Sequence, residues 1–227
     1  MIRSSKNRLT EKNLVLFPGD TLFDKVGRAV CQAGCLPRKE LFEAWEVARR
    51  VRRRFRGGRV VDLACGHGLV AALLLILDNS SPKAMAVDRT IPASAHRLHA
   101  ALLETWPRLE GRIEFIEAPL EEFALAPTDL VVSVHACGSL TDLVIDRATA
   151  AEARLAVLPC CHNLDEADQG GLSGWLDGPL AVDVARANHL RNKGYRVYTQ
   201  HIPEDITPKN RLLMGEVSRE SGFCEPI

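Results

Sequence analysis

The chain has 227 residues, of which 46% are hydrophobic and 26% are charged. These proportions exclude a disordered or fibrous protein. The 29 basic residues balance 29 acidic ones, which disfavours a protein that coats nucleic acid non-specifically but leaves room for one basic face. The longest apolar run, 69–77, is too short to span a bilayer. No apolar segment follows the basic N-terminus, so we expect a cytoplasmic chain that does not associate with membranes.

The first predicted element is a helix that precedes a cluster of arginines. Apolar residues recur every three or four positions from Leu41 to Phe55, with Pro37 in the first turn and Gly57-Gly58 at the end. Seven arginines lie between Arg49 and Arg59 without an acidic residue among them, at positions 49, 50, 52, 53, 54, 56 and 59. They either complement the dipole of the helix at its C-terminal end or form a ridge that contacts the phosphates of RNA.

Strands and helices alternate after this helix. The predicted strands are 59–63, 83–87, 112–116, 129–134 and 154–158, and the predicted helices are 69–77, 92–106, 139–150 and 179–192. We place Ser139 as the cap of the third of these helices. Two alternating segments, 195–202 and 211–218, predict a final antiparallel pair. The pattern indicates an α/β fold with a parallel sheet covered by helices on both faces over 57–227. Residues 1–56 would be an N-terminal helical cap.

The segment VVDLACGHGLVA, 60–71, carries the strongest local motif. Gly66 and Gly68 follow a strand and open a helix, Ala71 completes a G-x-G-x-x-A pattern, and Asp88 ends the next strand. Glycines allow backbone N–H groups to approach a ligand, and an acid at the next strand end can accept hydrogen bonds from ribose. This pattern is typical of adenosine binding and serves nicotinamide and S-adenosylmethionine enzymes equally.

Two features favour S-adenosylmethionine. Asp62 lies four residues before Gly66, where its carboxylate can meet the cationic amino end of the methionine. The final antiparallel pair also suits a seven-stranded methyltransferase sheet better than a dehydrogenase sheet. A nucleotide-dependent redox enzyme and a fold that has lost ligand binding remain the alternatives.

Three segments resemble a known family. Residues 60–71 look like the first motif of class I methyltransferases. SVHACGSLTDLVIDRA (133–148) and LPCCHN (158–163) are similar to a branch that contains methyltransferase-like proteins and tRNA 2′-O-methyltransferases with CHHC zinc fingers. The zinc-finger segments have no counterpart here, and Asn163 stands where some relatives have a second histidine. The resemblance implies a Rossmann-like seven-stranded sheet, S-adenosylmethionine as cofactor, and a tRNA or rRNA acceptor.

The predicted cofactor residues lie at the carboxyl ends of the first four strands, where ligands of such sheets bind. Glu117 and Ala118 would lie near the adenine. LPRKELFEA (36–44) resembles a helix entry that brings Lys39, with Glu40 and Glu43, near the cleft. The complete set of predicted cofactor-binding residues is Asp62, Ala64, Gly66, Gly68, Asp88, Arg89, Glu117, Ala118, Ser133 and Lys39.

Histidines and cysteines follow the fourth and fifth strands. If these strands are neighbours, His135 and Cys137 face Cys160, Cys161 and His162 across the cleft. We predict His135, His162, Cys160 and Cys161 as catalytic, with proton transfer, metal binding and packing as open roles. Successive side chains of a straight strand point to opposite faces, so we predict no metal site, although a turn at the two cysteines would relax this objection.

The last candidate site is the loop ITPKNRLLMG, 206–215. Lys209, Asn210 and Arg211 would bind an anionic substrate or close over the cleft, although a plain solvated hairpin is the alternative. Three functions remain open: an RNA methyltransferase, a methyltransferase of a small molecule or protein side chain, and a non-catalytic scaffold that binds the cofactor. The oligomeric state is not predicted.

Overall fold

The computed structural model describes residues 2–218. The sheet has seven strands: β1 (Val60–Leu63), β2 (Ala84–Asp88), β3 (Ile113–Glu117), β4 (Leu130–Ser133), β5 (Arg154–Val157), β6 (Tyr195–His201) and β7 (Arg211–Val217). Their order is β3-β2-β1-β4-β5-β7-β6. The first five strands pair in parallel, and β7 is antiparallel to both β5 and β6. The predicted parallel sheet with a final antiparallel pair is confirmed.

Six helices accompany the sheet in the described part of the chain: α1 (Leu22–Ala33), α2 (Arg38–Arg54), α3 (Leu69–Leu77), α4 (Ala93–Thr105), α5 (Ser139–Ala150) and α6 (Gly178–Asn192). Pro37 and Pro92 occupy the N-cap positions, one residue before the first turns that the sequence assigned to them. Ser139 is the first helical residue, and Gly138 (φ +59°) holds the cap position instead. None of the helices among residues 2–218 is both long and apolar enough to cross a membrane.

Helix α2 ends at Arg54, three residues before the predicted glycine pair. Phe55 adopts an extended conformation at the C-cap (φ −119°, ψ 128°). Its side chain is buried. Its ring packs edge-on against that of Tyr198 on β6, with 6.3 Å between the ring centroids. The chain therefore leaves the helix early because the extended conformation places this aromatic side chain in the core.

Hydrophobic side chains pack against both faces of the sheet. Because successive strand residues point to opposite faces, Val60 joins the cluster under α1–α4, while Val61 joins the cluster under α5 and α6. Both residues are fully buried. The alternation explains why the central strands read as continuous apolar runs, which is typical of parallel sheets covered on both faces.

The two N-terminal helices belong to the same hydrophobic cluster as one face of the sheet. Helix α1 packs on α4, and α2 packs on α3. Buried Arg52 fixes the second contact, since its guanidinium donates to the carbonyl of Leu74 (2.8 Å) and to the hydroxyl of Ser81 (2.8 Å). This packing places the N-terminal half of α2 over the carboxyl ends of β1 and β4.

Candidate active site

The loop between β1 and α3 forms a tight bend at the carboxyl edge of the sheet. Its backbone has positive φ at Ala64 (+57°), Gly66 (+52°) and Gly68 (+69°). A Cβ atom at Gly68 would lie 2.8 Å from the ring of Phe115, which real Cβ atoms do not tolerate. Glycine is required there both for the left-handed backbone and for the close approach of β3.

Asp88, at the end of β2, holds this bend. Its Oδ2 accepts a hydrogen bond from the backbone N–H of Gly66 (2.8 Å), and its Oδ1 accepts one from the N–H of Arg89 (2.8 Å). An ionised carboxylate has about four lone-pair sites, so both oxygens of this half-buried residue retain capacity for ligand hydroxyls. The predicted position of Asp88 beside the glycine bend is the one observed.

Asp62 lies beneath the bend rather than in its cleft. Its side chain is buried, and Oδ2 accepts a hydrogen bond from the N–H of Ala71 in the first turn of α3 (3.1 Å). Burial raises the pKa of Asp62 to about 7, and the negative charge of Asp88 adds to the increase. In the structure this carboxylate bonds to the N-terminus of α3 and positions that helix; its contact with the methionine of the cofactor stays a prediction.

A cavity of about 270 Å³ lies between the glycine bend and α2. Its walls include Glu40 and Ala44 from α2, Ala64 and Gly66 from the bend, and His135 from the segment after β4. Two predicted cofactor residues, Ala64 and Gly66, thus line a cavity at the carboxyl ends of the strands, which is the usual ligand position in open α/β sheets.

The other predicted cofactor residues surround this edge with different roles. Oε1 of Glu117 accepts from the N–H of Ile91 (2.8 Å), and the N–H of Ala118 donates to the carbonyl of Asp88 (3.0 Å). These bonds fix the loops after β2 and β3. The hydroxyl of Ser133, at the end of β4, is buried and has no hydrogen-bond partner among residues 2–218.

A second cavity of about 450 Å³ adjoins the first. Glu40 and His135 line both cavities, so the two spaces meet at these side chains. The second cavity is also lined by three lysines from separate segments, Lys6, Lys39 and Lys209. Lys39, predicted to contact the cofactor, therefore faces this second space.

Carboxylates and an imidazole lie at the junction of the cavities. Glu43 is buried; its Oε1 pairs with Lys39 Nζ at 2.8 Å, whereas its Oε2 has no hydrogen-bond partner in the described part of the chain. That oxygen lies 3.8 Å from His135 Nε2. Partial desolvation lowers the pKa of His135, although the charge of Glu43 opposes the change. Burial, with the charge of Glu43, raises the pKa of Glu40.

Three thiols meet at the wall of the second cavity. The Sγ atoms of Cys137, Cys160 and Cys161 all lie within 4.8 Å of one another, and those of Cys137 and Cys160 are 3.0 Å apart. The geometric argument against a shared metal assumed a straight strand, and it does not apply here because β5 ends at Val157 and both later cysteines lie in the loop. A hydrogen bond from Cys137 lowers the pKa of Cys161, and the ammonium of Lys209, 3.5 Å from its sulfur, acts in the same direction.

His162, predicted to be catalytic, is turned away from the cavities. Its side chain is 3% exposed, and Nε2 lies 2.8 Å from Oδ1 of Asp183 on α6. The other oxygen of Asp183 accepts from Arg211 Nε (2.7 Å), and Asn210 donates to the carbonyl of Ile202 (3.1 Å). Of the predicted substrate residues, Lys209 therefore lines the cavity, whereas Asn210 and Arg211 hold the loop in place.

Most arginines of the cluster contact other residues of the chain. Arg49 and Arg50 pair with Glu46, and Arg52 is buried. Arg54 contacts Tyr198 and Glu216, and Arg56 pairs with Asp78. Arg59 forms a bidentate ion pair with Asp129. Within residues 2–218, Arg53 is the member without such a partner, and it is exposed. Among the described residues the predicted phosphate-contacting ridge therefore keeps one exposed cation without such a partner, because Arg52 is buried and carboxylates pair with the other five arginines.

Sequence reasoning missed some residues that line the cavities. Ala44 lies one helical turn after Glu40 on α2, and this four-residue spacing is a signal that both share one face. Lys6 has no comparable signal. It reaches the second cavity because the N-terminal segment pairs with the start of α2 through a bridge between Arg8 and Pro37.

Comparisons with known proteins agree with this architecture. A family described as "Methyltransferase domain" matches residues 40–167. The Glutathione S-transferase C-terminal domain-containing protein homolog of Drosophila pseudoobscura pseudoobscura is 23% identical over 205 residues, which cover 73% of this chain and 34% of that protein. The chain thus spans about a third of the length of the curated relatives that it matches.

Two solved structures illustrate the similarity of the fold. The S-adenosylmethionine-dependent methyltransferase SibL has a TM-score of 0.53 at 18% identity, covering 93% of this chain and 66% of that one. The m1A22 tRNA methyltransferase TrmK of B. subtilis has a TM-score of 0.51 at 13% identity, covering 76% of this chain and 65% of that one. The predicted Rossmann-like, seven-stranded class I methyltransferase sheet is confirmed.

Proposed function

The chain belongs to the methyltransferase domain family, and on that premise we propose that it transfers a methyl group from S-adenosylmethionine to RNA. The observation that carries the proposal is the pair of adjoining cavities that share Glu40 and His135. One cavity lies on the glycine bend where the cofactor of this fold binds, and the other opens beside it with lysines in its wall.

The residues at the first cavity fit S-adenosylmethionine, the cofactor that this fold implies. The ligand carries an ammonium and a sulfonium group, and Glu40 lines the first cavity. The buried Oε2 of Glu43, which lines the adjoining second cavity, lacks a partner among the described residues. Asp88 keeps acceptor capacity for ribose hydroxyls beside the N–H of Gly66. These residues would hold the cofactor, which supplies an activated methyl group when bound.

Methyl transfer then depends mainly on positioning, because the sulfonium already activates the methyl group. Holding two reactants in a productive geometry removes much of the entropic barrier of a bimolecular reaction. His135 and Glu40 line both cavities, so these two side chains are the best placed to touch the reacting atoms. The ion pair between half-buried Lys39 and buried Glu43 fixes the neighbouring wall between cofactor and acceptor.

The lysines of the second cavity support an anionic acceptor such as RNA. Lys6 and Lys209 are exposed at its wall, and neither forms an ion pair with a carboxylate within residues 2–218. Phosphate contacts by lysine supply most of the non-specific affinity for nucleic acid. The resemblance of 133–148 and 158–163 to tRNA 2′-O-methyltransferases supports the same acceptor, as does the fold shared with a tRNA methyltransferase.

We expect the double variant Lys6→Gln, Lys209→Gln to lose affinity for RNA by about tenfold. Each lost phosphate contact should also reduce the slope of log affinity against log salt by about 1. A salt titration of fluorescent RNA binding measures both quantities. Arg53→Gln is the matched control, because it removes an exposed cation from the arginine cluster, away from the cavity. Equal losses in both variants would contradict the assignment of the acceptor to the second cavity.

Incubation with methyl-labelled S-adenosylmethionine and a cell extract tests the acceptor class directly. The proposal expects label in RNA that ribonuclease releases, with less label from the double lysine variant. Label in protein alone, or in the low-molecular-weight fraction alone, would contradict the choice of RNA and favour the other methyl acceptors.

A further inference from the structure

The thiol cluster at the wall of the second cavity has the composition of a metal site. It consists of Cys137 from the loop after β4 and Cys160 and Cys161 from the loop after β5. Strands β4 and β5 are parallel neighbours, so their carboxyl ends bring both loops to the same edge. The N–H of Gly138 donates to the carbonyl of Cys161 (3.0 Å) and ties the loops together next to the sulfurs.

The spacing of the sulfurs suits one tetrahedral ion. With a zinc–sulfur distance of about 2.3 Å, two sulfurs on the same zinc lie about 3.8 Å apart. The three sulfurs lie within 4.8 Å of one another, and the shortest separation, between Cys137 and Cys160, is 3.0 Å. Small rotations of side chains that are partly or fully exposed therefore bring all three into coordination.

Charge and access also fit a bound cation. Three thiolates around a divalent ion leave one net negative charge, and the ammonium of Lys209 lies 3.5 Å from the sulfur of Cys161. Cys137 and Cys161 are exposed, which gives an ion a path to the site. Cys160 and Cys161 also line the second cavity, together with His135.

We propose that Cys137, Cys160 and Cys161 bind a thiophilic divalent cation, zinc in the first instance, with its fourth coordination position open toward the second cavity. Soft thiolate ligands select zinc over magnesium or calcium. Structural zinc sites have four protein ligands, whereas sites with three keep a position for water or substrate. The metal binding itself is independent of the proposed methyl transfer; only a contact between the ion and the acceptor rests on that function.

Cobalt(II) titration of the fully reduced, metal-free chain tests the site without cofactor or RNA. We expect one equivalent of cobalt to bind, with absorption from thiolate-to-cobalt charge transfer and the visible bands of tetrahedral coordination. Zinc should then displace the cobalt and remove these bands. Absence of the bands in the reduced wild-type chain would overturn the proposal. A disulfide between Cys137 and Cys160 under oxidising conditions would not rescue it.

Two variants identify the ligands. Cys160→Ser should weaken cobalt binding at least about tenfold, because even the loss of a residue that only hydrogen-bonds to a metal ligand lowers metal affinity by about that factor. Cys35→Ala is the matched control, because it removes a thiol that lies outside the cluster. Unchanged cobalt affinity in Cys160→Ser would overturn the assignment, as would equal losses in the two variants.

Discussion

Replacing Asp183 with alanine is expected to destabilise the chain by about 3–5 kcal/mol. This carboxylate accepts from His162 and Arg211 and lies 3.4 Å from Arg186, so three basic side chains converge on one mostly buried acceptor. The substitution leaves these donors without their shared acceptor. Thermal denaturation should show a melting temperature lower by about 10 °C, because about 1 kcal/mol corresponds to 2–4 °C in a domain of this size.

Asp146→Ala is the matched control for this prediction. Asp146 also pairs with a histidine, His189, at 3.0 Å, but both side chains are largely exposed. Exposed ion pairs contribute about 0–1 kcal/mol, so the control should melt within a few degrees of the wild-type chain. If Asp183→Ala melts no lower than Asp146→Ala, then Asp183 does not anchor the loop that carries Cys160 and Cys161.

The effect of Asp183 should also depend on pH. Burial opposes ionisation, but hydrogen bonds from His162 and Arg211 hold the pKa of Asp183 below its usual value of 3.8. A carboxyl with a lowered pKa in the folded state stabilises the protein above the unfolded pKa and loses that contribution as the pH falls through the folded pKa. The difference between wild type and Asp183→Ala should therefore be full at pH 5–7 and shrink below about pH 4.

Replacing Asp88 with alanine is expected to weaken the binding of S-adenosylmethionine by about 100-fold. The carboxylate fixes the glycine bend through the N–H of Gly66 and remains available to ribose hydroxyls. Hydrogen bonds to a charged group contribute about 1.5–3 kcal/mol each, and about 2.7 kcal/mol corresponds to 100-fold in affinity. Calorimetric titration with S-adenosylhomocysteine measures the change.

Asp78→Ala is the control for Asp88. Asp78 also accepts from a backbone N–H, that of Ser80 at 3.1 Å, but it lies after α3, away from the glycine bend. We expect the control to bind the cofactor product with nearly wild-type affinity. Equal affinity of wild type and Asp88→Ala for S-adenosylhomocysteine would show that the cofactor does not bind at the end of β2.

The sheet could be predicted because its strands are short apolar runs with clear boundaries. Gly57-Gly58 precedes β1, Asp88 closes β2, and each predicted strand ends within one residue of the observed one. The end of α2 was placed too late, because the burial of Phe55 against Tyr198 is a tertiary contact that local periodicity does not reveal. The same limit applies to Ser139, since Gly138 takes the cap position in a loop fixed by Cys161.

The site was predictable in outline, because residues at strand ends must meet at the carboxyl edge of a parallel sheet. The orientation of each side chain was not. Asp62 and His162 both lie at that edge, but each finds a partner inside the fold, in α3 and α6 respectively. Cys137, Cys160 and Cys161 were predicted to meet at this edge, but the argument against a shared metal treated Cys160 and Cys161 as part of a straight strand, whereas β5 ends at Val157.

The arginine cluster shows why charge density alone does not define a surface. The sequence contains seven arginines between 49 and 59 without an acid among them. Arg49 and Arg50 pair with Glu46 of their own helix. Other partners come from distant segments, for example Asp129 for Arg59 and Glu216 for Arg54. Lys6 and Lys209, which are far apart in sequence, instead line one cavity together. Contact with RNA through either surface remains a proposal that the lysine variants test.

A crystal structure of the chain with S-adenosylhomocysteine tests the central claim most directly. The account predicts that the ligand occupies the cavity beside Gly66, with its ribose hydroxyls on Asp88 and its sulfur directed toward His135. Electron density for the ligand at another place on the chain, or a glycine bend that stays empty at saturating ligand, would contradict the assignment of the cofactor site and of the methyl transfer built on it.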